Sequence, residues 1–298
     1  MTGIERAGVA PAGPKIRSVL APNPSMMTER GTNTYIVGSG EVAVIDPGPA
    51  IGAHQDAILS SLRPGEVISH IFVTHSHLDH SGLAPALAQA TGAPVHAFGA
   101  AGSGRSAMMT QLADQIGLAG GEGIDHSFAP DVRLADGDSV AAKTWRIEAL
   151  HTPGHLGNHL CFACGNTVFT GDHVMAWSTS LISPPDGDMT DYMASLTRLA
   201  QGQWQVFWPG HGREITEPAK RIAELRAHRL ARERALLQVL AVRPARIYDL
   251  TGVIYADLAA QLIPAARRNL LAHLVDLTQR KIVTASPQPG PDAVFALA

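Results

Sequence analysis

His75-Ser76-His77-Leu78-Asp79-His80 places three histidines and an aspartate within six residues. The apolar run Val67-Ile68-Ser69-His70-Ile71-Phe72-Val73 precedes it, and Ser81-Gly82 follows it. The run reads as a buried strand, bounded upstream by Pro64-Gly65. The six residues therefore sit where a strand ends and a loop opens toward a helix beginning near Leu83. His75 and His77 are two apart, so extended backbone points both rings the same way. Asp79 and His80 follow where the chain is already turning. One short loop can thus serve two adjacent centres. Neutral imidazole together with carboxylate suits zinc and its borderline neighbours.

Three more strand ends repeat the theme. His151-Thr152-Pro153-Gly154-His155 follows a strand over 145–150, and Thr170-Gly171-Asp172 follows one over 167–169. Pro209-Gly210-His211-Gly212 follows a strand over 206–208. In each, a metal-capable side chain stands beside glycine, which lets the backbone turn sharply and lets another group approach closely.

Outward from these ends, the chain alternates short apolar runs with turns. Residues 1–17 read as a loose Pro/Gly-rich lead-in. Strands over 34–38 and 42–46 form a hairpin, followed by a helix over 53–62, the strand before the metal loop, a helix over 83–91 and a strand over 94–97. Residues 99–130 make a long glycine-punctuated excursion with a helical piece at 106–117, of the kind that walls a substrate pocket. Strands resume at 139–142, 145–150, 159–163 and 167–170. A second irregular loop, 178–191, leads to a helix over 192–199 and a last strand at 206–209. From about residue 214 the texture becomes helical: 217–241, 247–255 and 264–280, with two short strands at 281–284 and 293–295. Three helices and a hairpin suggest a small winged-helix-like domain over 214–298, after a catalytic domain over 1–213.

Composition narrows the class. The 298 residues are 45% hydrophobic, with a formal net charge of -3, which suits a globular protein with a sizeable core. Residues 1–213 carry 11 Lys+Arg against 18 Asp+Glu, a net of -7; residues 214–298 carry 12 against 8, a net of +4. A solvated helix face accounts for that mild excess as simply as a nucleic-acid partner does. Cys161 and Cys164 form a lone C-x-x-C inside a strand, where they face opposite sides and read as core cysteines; a zinc ribbon needs a second pair. Sparse cysteine fits a reducing cytoplasm. No signal peptide is evident and no stretch approaches the roughly 18 apolar residues of a membrane span, so no membrane partner is expected.

The ligand order resembles that of the metallo-β-lactamase-fold hydrolases over about residues 30–213: H-x-H-x-D-H, then His in T-P-G-H, Asp in T-G-D and His in P-G-H-G. The resemblance implies an α+β fold, a four-layer αββα sandwich with the metals at one edge. It implies His75, His77 and His155 on a first metal, Asp79, His80 and His211 on a second, and Asp172 bridging both. Asp46 would be a supporting acid behind the ligands, and His173 a group facing substrate or packed behind it. Aspartate rather than cysteine at 172 argues against β-lactam hydrolysis, and His77 in place of glutamate argues against a flavo-diiron protein. Ala227-His228-Arg229-Leu230-Ala231-Arg232-Glu233, Ile254-Tyr255 and Ala266-Arg267-Arg268-Asn269-Leu270-Leu271-Ala272-His273-Leu274 resemble the appended domain of the β-lactamase-like protein 2 subgroup. His228 and His273 read as structural there, as do His159, His54, His70, His96 and His126 elsewhere.

The chain is therefore expected to be an enzyme: a hydrolase with two divalent ions (zinc first, iron or manganese as alternatives) and a metal-bridging hydroxide acting on an ester or thioester carbonyl, with Asp79 orienting the nucleophile. The alternative is an endoribonuclease on single-stranded RNA. Behind these stand an iron-dependent persulfide dioxygenase and a non-catalytic nucleic-acid-binding protein. Small-molecule thioesters or RNA are the expected partners, and a homo-oligomer stays open.

Overall fold

The computed structural model describes residues 15–117, 120–121 and 123–298. Six strands form the first sheet in simple sequential order: β1 (Ile16–Leu20), β2 (Asn33–Ser39), β3 (Glu41–Ile45), β4 (Val67–Phe72), β5 (Val95–Ala97) and β6 (Val132–Arg133). The second sheet has five strands: β7 (Ser139–Ala142), β8 (Trp145–His151), β9 (Leu160–Cys164), β10 (Thr167–Gly171) and β11 (Val206–Pro209), again each beside the next. The strand β1 corrects the lead-in expected over 1–17. Ile16 to Leu20 pair antiparallel with Val37 to Asn33; residues 1–14 lie outside the described residues.

Side-chain alternation makes the sheets face each other. Along β8, Trp145, Ile147 and Ala149 are buried while Arg146 and Glu148 are exposed. Tyr35, Val37, Ile45 and Phe72 of the first sheet meet Trp145, Ile147, Leu160, Phe162 and Phe169 of the second in one core. The outer face of the first sheet packs on α1 (Gly52–Ser60) and α3 (Ala84–Thr91) through Ile58 and Leu87. The outer face of the second packs on α5 (Met189–Leu199) and α6 (Pro218–Leu240) through Tyr192, Leu196 and Leu225. These are the four layers of an αββα sandwich. Each large side chain fully buried between layers contributes about 1.5–3 kcal/mol. Cys161 and Cys164 are both free and buried, and they fall in different cores on opposite faces of β9.

Helix α5 begins three residues before the expected start. Asp188 caps it, its carboxylate accepting the Thr190 N–H at 2.8 Å. A one-turn helix, α2 (Leu78–Ser81), stands inside the metal loop itself.

The C-terminal part closes with α6, α7 (Ile247–Ile254), α8 (Ile263–Gln279) and a three-stranded sheet of β12 (Ala245–Arg246), β14 (Val294–Leu297) and β13 (Val283–Ser286), in that order. This is a winged-helix arrangement. The two wing strands start one or two residues after their expected positions. Helix α8 is buried without a break from Leu270 to Leu277. Helix α4 (Ala107–Ile116), inside the 99–130 excursion, sends Met109 and Leu112 into the same core as Leu236, Leu250, Leu270 and Phe295.

His273 sits in α8 with 2% exposure. Burial, with Arg229 and His228 adding to it, lowers its pKa from the ordinary 6.5 to about 3. Between those values the unfolded chain binds a proton here that the folded chain refuses, so stability falls as pH falls through that window. His273→Gln should flatten the pH dependence of the urea-unfolding free energy by about one proton across it. An unchanged slope would contradict this account of His273.

Candidate metal centre

The strand ends converge at one edge of the sandwich. His75 leaves the chain just after β4, and His77 precedes the first residue of α2 in extended conformation. Asp79 and His80 lie within that single turn. His155 follows β8, Asp172 follows β10 and His211 follows β11. His75, His77, His155 and Asp172 group their ligand atoms within 4.8 Å of one another; Asp79, His80 and His211 form a second such group.

In the first group, His77 Nδ1 stands 2.9 Å from His75 Nε2 and 3.1 Å from His155 Nε2, and His155 Nε2 stands 3.7 Å from Asp172 Oδ2. In the second, His80 Nε2 is 3.4 Å from Asp79 Oδ2 and from Asp172 Oδ1. His211 Nε2 is 3.3 Å from the same two oxygens. Four donors around one cation at about 2.0–2.1 Å stand about 3.3–3.4 Å apart, the edge of a tetrahedron. The second group has that spacing on four edges, and the first brackets it. His80 Nε2 and Asp172 Oδ1 are buried without a hydrogen-bond partner, a state that buried polar atoms avoid unless something else satisfies them. Asp172 also offers one oxygen to each group. The donor set and its spacing therefore fit a pair of divalent cations.

Groups behind the ligands fix which nitrogen faces inward. His155 Nδ1 donates to Leu181 O at 2.7 Å, and His211 Nδ1 to Gly31 O at 3.2 Å. Asp46 accepts from the Thr74 N–H at 2.7 Å, from the Thr74 hydroxyl at 2.8 Å and from His80 Nδ1 at 2.9 Å. With its proton given to Asp46, the Thr74 oxygen accepts from His75 Nδ1 at 2.9 Å. One carboxylate thus sets the tautomer of a ring in each group.

Charge divides the groups. Burial holds the His75 pKa well below the ordinary value, and with help from His155 it lowers that of His77 to about 3. Burial lowers that of His155 as well. The shifts favour the neutral form of these three rings, the form that ligates a metal. Burial also opposes charge on His80 and His211, but carboxylates outweigh it: Asp79, Asp172 and Asp46 hold His80 well above the ordinary value, and Asp172 leads in raising His211 to about 10. Asp79 and Asp172 lie correspondingly below the carboxylate range; burial works against this, and the two imidazoliums prevail. In the metal-free protein these protons occupy the place a cation would take, so binding releases them.

Two glycines allow the approach. A Cβ on Gly210 would lie 2.5 Å from His80 Cε1 and 2.7 Å from Asp172 Oδ1. Gly171, at φ +47, would crowd the Thr74 hydroxyl at 2.7 Å.

Of the two places the sequence leaves open for His173, the structure shows the packed one. Its ring is fully buried, 4.7 Å from Tyr192 and 5.7 Å from His159 by centroid, so it packs behind the site and does not face substrate. Sequence reasoning missed Thr32 and Asn23. The Thr32 hydroxyl donates to Asp79 Oδ2 at 3.0 Å and accepts from Asn23 Nδ2 at 2.9 Å. The Gly31-Thr32-Asn33-Thr34 stretch, polar at the head of an apolar strand, was the available signal.

The two irregular loops interlock beside the centre. Asp186 pairs with Arg105 at 2.5 Å and accepts the Gly121 N–H at 2.7 Å, while Ser106 donates to Asp188 at 2.7 Å.

A family profile described as the Metallo-beta-lactamase superfamily matches residues 27–211, and one described as the Beta-lactamase associated winged helix domain matches 247–288. The chain belongs to the metallo-beta-lactamase superfamily. Within the superfamily it is 30% identical over 277 residues to the Beta-lactamase-like protein 2 homolog of Drosophila melanogaster, covering 87% of this chain and 86% of that one. It is 30% identical over 233 residues to the Atrochrysone carboxyl ACP thioesterase of Aspergillus terreus, covering 76% of this chain and 64% of that longer one. Superfamily members of solved structure share its fold. A Beta-lactamase domain protein from Burkholderia ambifaria superposes with a TM-score of 0.78 at 21% identity, over 98% of this chain and 93% of that one. A metallo-beta-lactamase family protein from Thermus thermophilus gives 0.74 at 23%, over 95% and 98%. Among the described residues no helix is long and apolar enough to cross a membrane.

Proposed function

We propose that this chain is a dinuclear-metal hydrolase of thioester carbonyls, with His75, His77, His155 and Asp172 holding one cation and Asp79, His80, His211 and Asp172 the other. The observation that carries the reading is the placement of Asp172, whose two oxygens reach one group each. When bound, such a cation pair polarises a carbonyl and acidifies a water molecule. The imidazole-rich donor set suits zinc, and iron or manganese also. The chain's own residues do the rest. Thr32 holds the Asp79 carboxylate in place by its hydroxyl. That carboxylate is 27% exposed against 12% for Asp172, so of the two carboxylates it is the one more open to an incoming substrate. It orients the attacking water and accepts its proton. Attack breaks the C–S bond, and the products are a carboxylic acid and a thiol that takes up a proton.

The thioesterase among the relatives supports the substrate class. The second reading is cleavage of single-stranded RNA, favoured by the net +4 of residues 214–298. Against it, several of those arginines have partners within the chain: Arg229 with Ser180, Arg268 with Ser183 and Arg267 over the Tyr248 ring. On this reading the catalytic and cap domains divide at 213/214, and the enzyme works in the cytoplasm.

The test is a pair of assays on purified protein with its metal content measured. About two ions per chain and cleavage of acyl thioesters are expected. Turnover of RNA but not thioesters would move the substrate, and one iron per chain with consumption of O₂ would replace hydrolysis by dioxygenation.

A further inference from the structure

Arg229 is a buried cation, 3% exposed, and among the described residues no carboxylate pairs with it. Its charge is met by oxygens and a ring instead. One guanidinium nitrogen donates to Ser180 O and another to Asn269 Oδ1 at 3.3 Å, and the plane lies 5.1 Å from the centroid of the Tyr192 ring. Asn269 Oδ1 also accepts the Ile182 N–H at 3.0 Å. Helices α6 and α8 therefore grip the backbone of residues 180–182 from outside.

The same three residues hold the candidate centre on their other side. The Ser180 hydroxyl lies 2.5 Å from Asp172 O and 2.9 Å from His173 O, and it donates to that pair. Leu181 O accepts from His155 Nδ1 at 2.7 Å. A single short strap thus carries the cap's grip to one ring and to the backbone of Asp172, whose carboxylate is shared by both groups. Arg268 adds contacts one step further along, to the Ser183 hydroxyl at 3.0 Å and to Pro184 O at 3.3 Å.

We infer that Arg229 and Asn269 are positioning residues of the metal centre, acting through the 180–182 strap on His155 and Asp172. The inference rests on the metal-site reading above. It gives the appended helices a task at the centre: they set the geometry in which metal binds. Arginine suits this because its planar fork reaches a carbonyl and an amide at once, which a lysine ammonium does not do in one fixed plane. Asn269 suits it because one oxygen accepts from both the strap and the arginine.

The test compares Asn269→Ala and Asn269→Asp with the full-length wild type. Zinc affinity is measured by chelator competition, and the visible spectrum of the cobalt-loaded protein reports ligand geometry. Asn269→Ala should weaken zinc binding about 10–100-fold and shift the cobalt bands. Asn269→Asp, which keeps the acceptor oxygen, should restore both to near wild type. Arg229→Lys should fall between them, and it offers a second probe from the α6 side. Wild-type affinity and spectrum in Asn269→Ala, whatever its melting temperature, would overturn the inference and reduce the contact to packing. Failure of the underlying reading looks different: a wild-type chain whose zinc affinity is indifferent to Asp172→Ala would remove the metal centre itself.

Discussion

Asp79→Asn is expected to lower kcat/KM for a thioester by about 10²–10⁴-fold, the range for loss of a positioned proton acceptor. The substitution is nearly isosteric. The new amide oxygen can still accept from the Thr32 hydroxyl, so the turn of α2 and the Asn23–Thr32 contacts should persist. What is lost is the negative charge between His80 and His211 and the ability to take a proton. Without that charge the raised pKa of His211 must fall, since Asp79 is one of the groups holding it up. Thermal unfolding and steady-state kinetics on the same preparation separate the effects. A folded Asp79→Asn protein with wild-type turnover would move hydrolysis away from this site.

The second large effect is expected at Asp46, which touches neither substrate nor metal. Asp46→Ala removes the acceptor of three buried donors: the Thr74 N–H, the Thr74 hydroxyl and His80 Nδ1. The Thr74 hydroxyl is then free to turn, and it no longer fixes the His75 tautomer. Asp46 also sits at φ 50, a conformation that costs alanine about 1–2 kcal/mol. Removing one partner of a buried charged pair typically costs about 3–5 kcal/mol. We expect a loss of that size in the metal-free protein, by denaturant unfolding, and metal binding weaker by about 10–100-fold. Asp46→Asn should be milder in stability, because asparagine tolerates the left-handed backbone and keeps one acceptor oxygen. Equal stability of the alanine variant and the wild type would deny Asp46 this role.

Much of the centre was legible because it is written in short range. His75 and His77 point together because they are two apart on extended chain, and their nitrogens indeed meet at 2.9 Å. The strand ends were visible because apolar runs stop at glycine. The layers came from the resemblance of the ligand order, and the structure shows the alternation that builds them, as at Trp145, Ile147 and Ala149. What was not legible is what joins residues distant in sequence without any period. Thr32 meets Asp79 across 47 residues, and Asn269 meets Ile182 across 87. A lone threonine or asparagine carries no pattern that names its partner. Strand β1 was missed for a related reason: Ile16–Leu20 is only partly buried, so its apolar signal is diluted, and its strand character comes from pairing with β2. At His173 the sequence left two places open, facing substrate or packed behind, because adjacency to Asp172 does not decide between them: successive residues at a turn need not face the same space.

Helix α4 bears on the order in which the molecule is made. Met109 and Leu112 lie in the part of the chain that carries the candidate ligands, yet their partners Leu236, Leu240, Leu270 and Leu274 are translated more than a hundred residues later. While the ribosome is still making the C-terminal part, that apolar face has nothing to pack on, and the strap at 180–182 lacks Arg229 and Asn269. A nascent chain therefore has all seven candidate ligands in hand by His211, but gains the outer support of the 180–182 strap only after the final helices dock. If Arg229 and Asn269 position the centre as proposed, an arrested or truncated product should be sticky and should bind zinc more weakly than the finished chain.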